Sequence, residues 1–360
     1  MTNLFEELTF KRGPAIKNRF MLAPLTNQQS HDDGTLSDDE FKWLTMRAKG
    51  GFGQTMTCAA HVQKEGQGFA GQLAAFDDKH LDGLKRLADE IRSHGSISSC
   101  QLYHGGYRCP SDVTGLQPAG PSDNEESGSR GMTHDEVIET INHFVEAAVR
   151  CEQAGFDGVE LHGAHSYLIC QFLSPDYNKR EDEFGGSAEN RARFLKEIIA
   201  GIREKCGADF QVGVRLSPER IGVYMQDMVD LARDLMAEGD IDYLDMSLWD
   251  CFKEPEEEAF KGRALIEWFA ELPRNGVRLV VAGNIRTPQD ADRVMATGVD
   301  ALMLGRVAIL HHNYPALLQA DPEFQPIELP VPRDHLRAEG VSESFIDYLQ
   351  GMGRFGITST

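Results

Sequence analysis

The sequence predicts an α/β protein built as one (β/α)8, or TIM, barrel with long loops after its strands. Three observations carry this. Eight short apolar runs alternate with amphipathic stretches along the 360 residues. Helix-to-strand connections are short, while several strand-to-helix connections are long. The first apolar run is followed by LAPLTNQQS, not by the Gly-x-Gly-x-x-Gly usual in the alternative, an open doubly wound sheet. Eight strand–helix alternations imply a parallel sheet that closes on itself.

The predicted strands fall at 19–25, 53–60, 96–104, 155–163, 210–217, 241–248, 277–283 and 299–306. Helical periodicity fills 80–95, 134–155 and 188–207 between them. Several helix ends carry their own signals. Thr133 with Glu136 forms a capping box, and Thr287 followed by Pro288 reads as an N-cap and a first-turn proline. Gly95, Gly155 and Gly207 end helices. Gly185, Gly186, Ser187, Asn190 and Arg191 read as a turn and a helix start.

The chain carries 36 basic and 57 acidic side chains, a formal charge of -21. Such a surface repels phosphate backbones and anionic lipid, so nucleic-acid and membrane partners are not expected. The N-terminus lacks the apolar core of a signal peptide, and no run reaches the roughly 20 apolar residues of a membrane-spanning helix. The seven cysteines are scattered, none closer than nine positions to another. CxxC zinc motifs and closely spaced iron–sulfur ligand runs are therefore absent, and a cytoplasmic protein with reduced, mostly buried thiols is expected.

The long connections, 105–133, 164–187 and 249–263, follow strands, and barrels keep their active sites at that end. The first, rich in Gly, Pro and Ser, is either a lid or a surface excursion. The residues at the strand ends are Pro24, Leu25, Thr26, Cys58, Ala59, Gln101, His104, His162, His165, Tyr167, Arg215, Gly283, Asn284, Gly305 and Arg306. Glycines ending strands seven and eight let backbone N–H groups approach an anion, and Arg306 adds a planar cation, which suggests a phosphate site belonging to a cofactor.

His162 and His165 admit three readings. They could share a metal ion, although no third ligand is evident nearby. They could be ordinary core histidines. They could also be paired donors to one oxygen on which negative charge develops, with Tyr167 as a proton source.

The segment HGAHSYLICQFLSPDYNKREDEFGGSAENRARF resembles the signature segment of the old yellow enzyme family of FMN-dependent ene-reductases. NRFMLAPLTNQQS, GQGFAGQLAAFDDKHLDGLKRLADEIRSHG, QLYHGG, VRLSP, VAGNIRTPQDAD and LGR are similar to the family in the same order, over roughly residues 3–315. The resemblance implies FMN as cofactor and NADPH or NADH as reductant. The reaction it implies is hydride delivery to the β-carbon of an α,β-unsaturated carbonyl compound. Pro24, Leu25, Thr26 and Ala59 would lie along the isoalloxazine, with Thr26 tuning it through O4, Gln101 on the pyrimidine edge and Arg215 near N1 and O2. Gly283, Asn284, Gly305 and Arg306 would hold the FMN phosphate. His162 and His165 would polarise the substrate carbonyl, and Tyr167 would protonate the α-carbon. A flavin-binding barrel without turnover and a metal-dependent barrel hydrolase are the alternatives.

Two departures stand out, the first being Thr26, where one branch of the family has cysteine and threonine implies different redox tuning. The family commonly has HxGR where this chain reads HGGYR, which puts Tyr107 at the usual arginine position and leaves the role of Arg108 open. The barrel is expected over 1–330. The extension 331–360 is expected either to be a loose end or to reach a neighbouring subunit of a homo-oligomer through Arg354 or Phe355.

Overall fold

Eight parallel strands close the barrel: β1 (Phe20–Leu22), β2 (Gln54–His61), β3 (Ile97–Tyr103), β4 (Gly158–Gly163), β5 (Gln211–Leu216), β6 (Tyr243–Ser247), β7 (Arg278–Ala282) and β8 (Ala301–Leu304). Neighbours run in sequence order around the wall, and β8 pairs with β1 through Phe20 opposite Leu302 and Leu22 opposite Leu304. The predicted (β/α)8 architecture is therefore the observed one. This computed structural model describes residues 4–353 and 355–358, so Arg354 lies outside the described residues.

Helices follow the strands as α1 (Asp38–Lys49), α2 (Leu81–Ser93), α3 (His134–Gln153), α4 (Ala188–Lys205), α5 (Met225–Glu238), α6 (Leu265–Ala270), α7 (Pro288–Met295) and α8 (Arg306–Leu310). The sequence signals sit where they were read. Thr133 and Glu136 close a reciprocal capping box on α3, and Thr287 caps α7 with Pro288 in its first turn. Ser187 caps α4. All seven cysteines are buried and unbonded to one another.

Apolar packing divides into two zones. Between wall and helices lies a broad layer that includes Leu44, Phe144, Val159, Phe194 and Leu279, all fully buried. Inside the barrel a second cluster joins Met21, Met56, Ile97, Val280 and Met303 to Leu8 and Ile16. The last two pair as an antiparallel bridge across the N-terminal mouth. Alternation along the strands then puts polar side chains inside: Ser99 and Gln101 on β3, Glu160 and His162 on β4, Arg215 on β5, Tyr243, Asp245 and Ser247 on β6. Gly213 is needed opposite Tyr243, because a Cβ there would stand 2.0 Å from the ring.

The strands are shorter than the predicted runs, because residues such as Gly305 and Arg306 leave the ladder to line the C-terminal mouth. The long connection 105–133 carries two short helical turns and pairs Ala119–Gly120 with Arg130–Gly131. Arg180 anchors it to the next long connection by donating to the carbonyls of Pro121 (3.1 Å) and Met132 (2.5 Å). The extension folds onto its own barrel through helices Arg333–Ala338 and Glu343–Gly351. Phe345 stands edge-on to Trp43 of α1 with ring centroids 5.1 Å apart.

Candidate active site

All thirteen residues expected at the site lie in two adjoining cavities at the C-terminal mouth. The first, about 250 Å³, is lined by Pro24, Leu25, Thr26, Ala59, Gln101, His162, His165, Tyr167, Arg215 and Arg306. The second, about 240 Å³, shares Pro24, Leu25, His165, Arg215 and Arg306 and adds Gly283, Asn284 and Gly305. His104, at the end of β3, is fully buried elsewhere and accepts the Gly106 N–H through Nδ1 at 3.0 Å.

β4 delivers His162 into the barrel mouth, and the chain then turns through two consecutive left-handed residues, His165 (φ 61°) and Ser166 (φ 62°). Non-glycine residues rarely adopt this conformation, and here it brings His165 back beside His162. His165 Nδ1 and His162 Nε2 end 3.4 Å apart, facing each other. Burial lowers the pKa of both rings, with Arg215 and Arg108 adding to the effect; His165 falls to about 3. Both imidazoles are therefore neutral near pH 7, each with one proton to donate.

Ser247 decides which nitrogen of His165 carries that proton. Arg215 Nη2 donates to Ser247 Oγ at 3.4 Å, and Ser247 Oγ lies 2.9 Å from His165 Nε2. With Arg215 as its donor, the serine gives its own proton to Nε2 and leaves the His165 proton on Nδ1, the side facing His162. His162 Nε2 then accepts the His165 proton, and because His162 Nδ1 has no partner among the described residues, nothing holds that tautomer once an oxygen lies between the two rings and draws a proton onto Nε2. Ser247 was not singled out from the sequence, although it too ends a predicted strand.

Tyr167 follows with its ring 5.1 Å from that of His162. Gln171 ties this turn to the HGGYR turn: its Nε2 donates to the carbonyls of Ser166 (2.7 Å) and Gly105 (3.0 Å), and its Oε1 accepts from Tyr107 N–H at 3.1 Å. Tyr107 points away and packs at a tilt against Tyr177, with ring centroids 5.0 Å apart.

Beneath the cavities lies a buried layer of polar and ionisable side chains. Gln101 Nε2 donates to Glu160 Oε1 at 2.8 Å, and Arg215 Nε stands 3.1 Å from Asp245 Oδ2. Burial pushes Glu160 up to about 8, helped by the Asp245 charge and resisted by Arg215; burial likewise pushes Asp245 up to about 6. Held this way, Gln101 keeps its carbonyl oxygen for a ligand in the cavity.

The profile of the NADH:flavin oxidoreductase / NADH oxidase family matches residues 3–322. The chain belongs to that family. It is 37% identical over 333 residues to a probable NADH-dependent flavin oxidoreductase of Bacillus subtilis, covering 89% of each chain. It is 36% identical over 320 residues to an NADPH dehydrogenase of Bacillus pumilus, covering 87% of this chain and 93% of that one. The fold matches that of the old yellow enzyme homologue of Zymomonas mobilis with a TM-score of 0.80, at 24% identity over 96% of this chain and 99% of the other. The old yellow enzyme family, FMN-linked and reduced by a nicotinamide, is thus the family the sequence pointed to.

The donor set fits FMN. The mouth combines an apolar slot (Pro24, Leu25, Ala59) with a buried cation, Arg215, and a cationic far end. At that end Arg306 Nη2 donates to Asn284 Oδ1 at 3.0 Å, and Asn284 sits at φ 58°. Gly283 packs so closely on the loop after β6 that a Cβ would stand 2.8 Å from Cys251 Sγ and 2.9 Å from its backbone nitrogen. The metal alternative finds no support around His162 and His165. The one group of three metal-ligating side chains among the described residues is His311, His335 and Glu339. There His311 Nε2 accepts the Ile327 N–H at 2.9 Å, which puts the ring proton on Nδ1, the nitrogen an ion would need.

The sequence did not flag Phe345, Tyr348, Leu349 and Met352 as a cavity wall, and Phe355, expected in a loose end or at a neighbouring subunit, lines the cavity of its own chain with them. Burial of Phe345, Ile346 and Leu349 gives the helix an apolar face, yet nothing in its pattern says what that face covers.

Proposed function

We propose that the protein is an NAD(P)H-dependent ene-reductase that delivers hydride to the β-carbon of α,β-unsaturated carbonyl compounds. The observation that carries this is the pair of neutral imidazoles converging on one point, with a phenol beside them. When bound, FMN supplies the two-electron exchange between nicotinamide and substrate. Pro24, Leu25, Thr26 and Ala59 would flank its ring system, and Gln101 and Arg215 would meet its polar edge. Gly283, Asn284, Gly305 and Arg306 would hold its phosphate.

His162 Nε2–H and His165 Nδ1–H bind the substrate carbonyl oxygen and stabilise the negative charge that builds there as hydride arrives at the β-carbon. Tyr167 gives its phenolic proton to the α-carbon: the O–H bond breaks, a C–H bond forms, and a phenolate remains. The wall formed by Phe345, Tyr348, Leu349, Met352 and Phe355 helps exclude water from this chemistry. We read the barrel and the extension as one functional unit.

Titrating the purified yellow protein with a para-substituted phenol tests the reading. A new long-wavelength absorption band is expected from a phenolate held by both histidines over the oxidised flavin. A yellow protein with no such band would remove the clamp from the mechanism.

A further inference from the structure

We propose that Tyr103 and Arg108 are positioning residues for Tyr167, holding its ring and stabilising the phenolate left when its proton is given up. The proposal rests on the ene-reductase reading for its catalytic meaning, but the arrangement it describes stands on contacts of its own.

Tyr103 is almost fully buried at the end of β3, and its ring meets that of Tyr167 edge-on at 4.5 Å. Its hydroxyl lies within hydrogen-bonding reach of the Tyr167 hydroxyl. The fold makes room for that hydroxyl in a specific way: a Cβ on Gly68 would stand 2.2 Å from it, and one on Gly105 3.1 Å. On the other side, the Arg108 guanidinium sits over the face of the Tyr167 ring, 4.7 Å from its centroid. Arg108 Nη1 is fixed there by donating to the His165 carbonyl at 2.7 Å.

The HGGYR departure produces this arrangement. Gly106 adopts φ 62° against Gln171, where a Cβ would stand 2.1 Å from Oε1, so no side chain fits. The turn sends Tyr107 toward Tyr177 and brings the next residue, Arg108, over Tyr167.

The charged and titratable groups facing Tyr167 are Tyr103 from β3, Arg108 from the following turn, His162 from β4 and His165 from its own loop. The two histidines are neutral, so Arg108 supplies the positive charge. A cation over the ring face and an O–H aimed at the phenolic oxygen both favour the charged form of Tyr167. They act on the oxygen from which the proton leaves, while the histidine clamp acts on the substrate oxygen. Each end of the reacting enone thus has its own charge-stabilising pair.

Carbon-13 NMR of the holoenzyme labelled at tyrosine Cζ tests this, with Tyr167→Phe assigning the signal. Tyr103→Phe and Arg108→Met are each expected to raise the Tyr167 titration midpoint, a change on the order of tenfold in its proton affinity. Arg108→Lys should recover part of the shift by restoring a cation, and Tyr107→Phe should leave the midpoint where it is. Arg108 is exposed, so its variant tests the idea even if Tyr103→Phe fails to fold. In turnover both variants should slow the protonation-dependent step by a similar factor with little change in phenol affinity. A Tyr167 midpoint unmoved in the folded variants overturns the proposal. A midpoint that moves in an enzyme unable to reduce enones upholds the arrangement and sinks the ene-reductase reading instead.

Discussion

At its N-terminal end the barrel is plugged by apolar side chains: Leu8, Ile16, Met21, Met56 and Ile97 pack together with the Tyr243 ring. At its C-terminal end the same strands present histidines, a tyrosine, an arginine and two buried carboxylates, and the backbone departs from regular geometry. Gln28, His165, Ser166, Arg220, Ile221, Trp249 and Asn284 all take positive φ there. One mouth gains stability from close packing. The other spends some of it holding side chains where chemistry needs them. Substitutions at the two ends should therefore fail differently, the upper ones in rate and the lower ones in folding.

The largest effects test the upper end. Tyr167→Phe should slow the oxidative half-reaction on the order of 10²–10⁴-fold, measured by stopped-flow reoxidation of the reduced enzyme by an enone. His162→Ala or His165→Ala should cost on the order of 10²–10³ and weaken phenol binding with it. Thermal stability should hardly change in any of the three. An unchanged half-reaction in Tyr167→Phe would take that residue out of its role.

The mirror experiment is Met56→Ala in the plug. Deleting a buried methionine should cost about 2–5 kcal/mol of unfolding free energy, seen in denaturant titration, with turnover at room temperature close to native. Loss of activity without loss of stability would mean that the two ends are coupled through the barrel interior and that the division drawn above is wrong.

Glu160 sits between the two zones and should report on pH. Its carboxyl, pushed up to about 8 from an ordinary 4.5, stays protonated in the fold at pH values where the unfolded chain has released its proton. Between those values the folded state binds more protons, so stability falls as pH rises and the loss is complete above the folded value. Glu160→Gln cannot ionise and can still accept from Gln101. Its melting temperature relative to native should therefore climb from about pH 5 to about pH 8 and then level off. Parallel curves across that range would show that Glu160 is ionised in the fold.

Much of this was legible in the chain, for reasons that differ by residue. The barrel came from alternation, the candidates at the mouth from one geometric rule, that strand ends face the working mouth, and their narrowing to thirteen from the family resemblance. The same rule applied to 241–248 would have reached Ser247, but a serine advertises nothing until Arg215 and His165 are seen on either side of it. Tyr103 reads as one more aromatic in a buried strand. Arg108 could not be placed because its position depends on one left-handed glycine and on Gln171, a residue sixty-odd positions away whose contacts only the fold reveals. The helix at 343–351 shows an apolar face in sequence, but its target is a matter of tertiary packing.

The smallest effect expected is also the most direct probe of the cost carried by the upper mouth. Ser166 holds φ 62° with a Cβ, next to His165 at φ 61°. A left-handed non-glycine residue costs roughly 1–2 kcal/mol, while glycine occupies that region freely. Glycine would also loosen the unfolded chain, which offsets part of the gain. Ser166→Gly should therefore raise stability by about 1 kcal/mol or less, measured by denaturant midpoint. The Ser166 carbonyl still accepts from Gln171, so the clamp should keep its place and the phenol band should persist. If stability rises while the band weakens, the serine side chain is holding the turn that aims His165. If stability falls, the turn is unstrained and the contrast between the two mouths rests on polar burial alone.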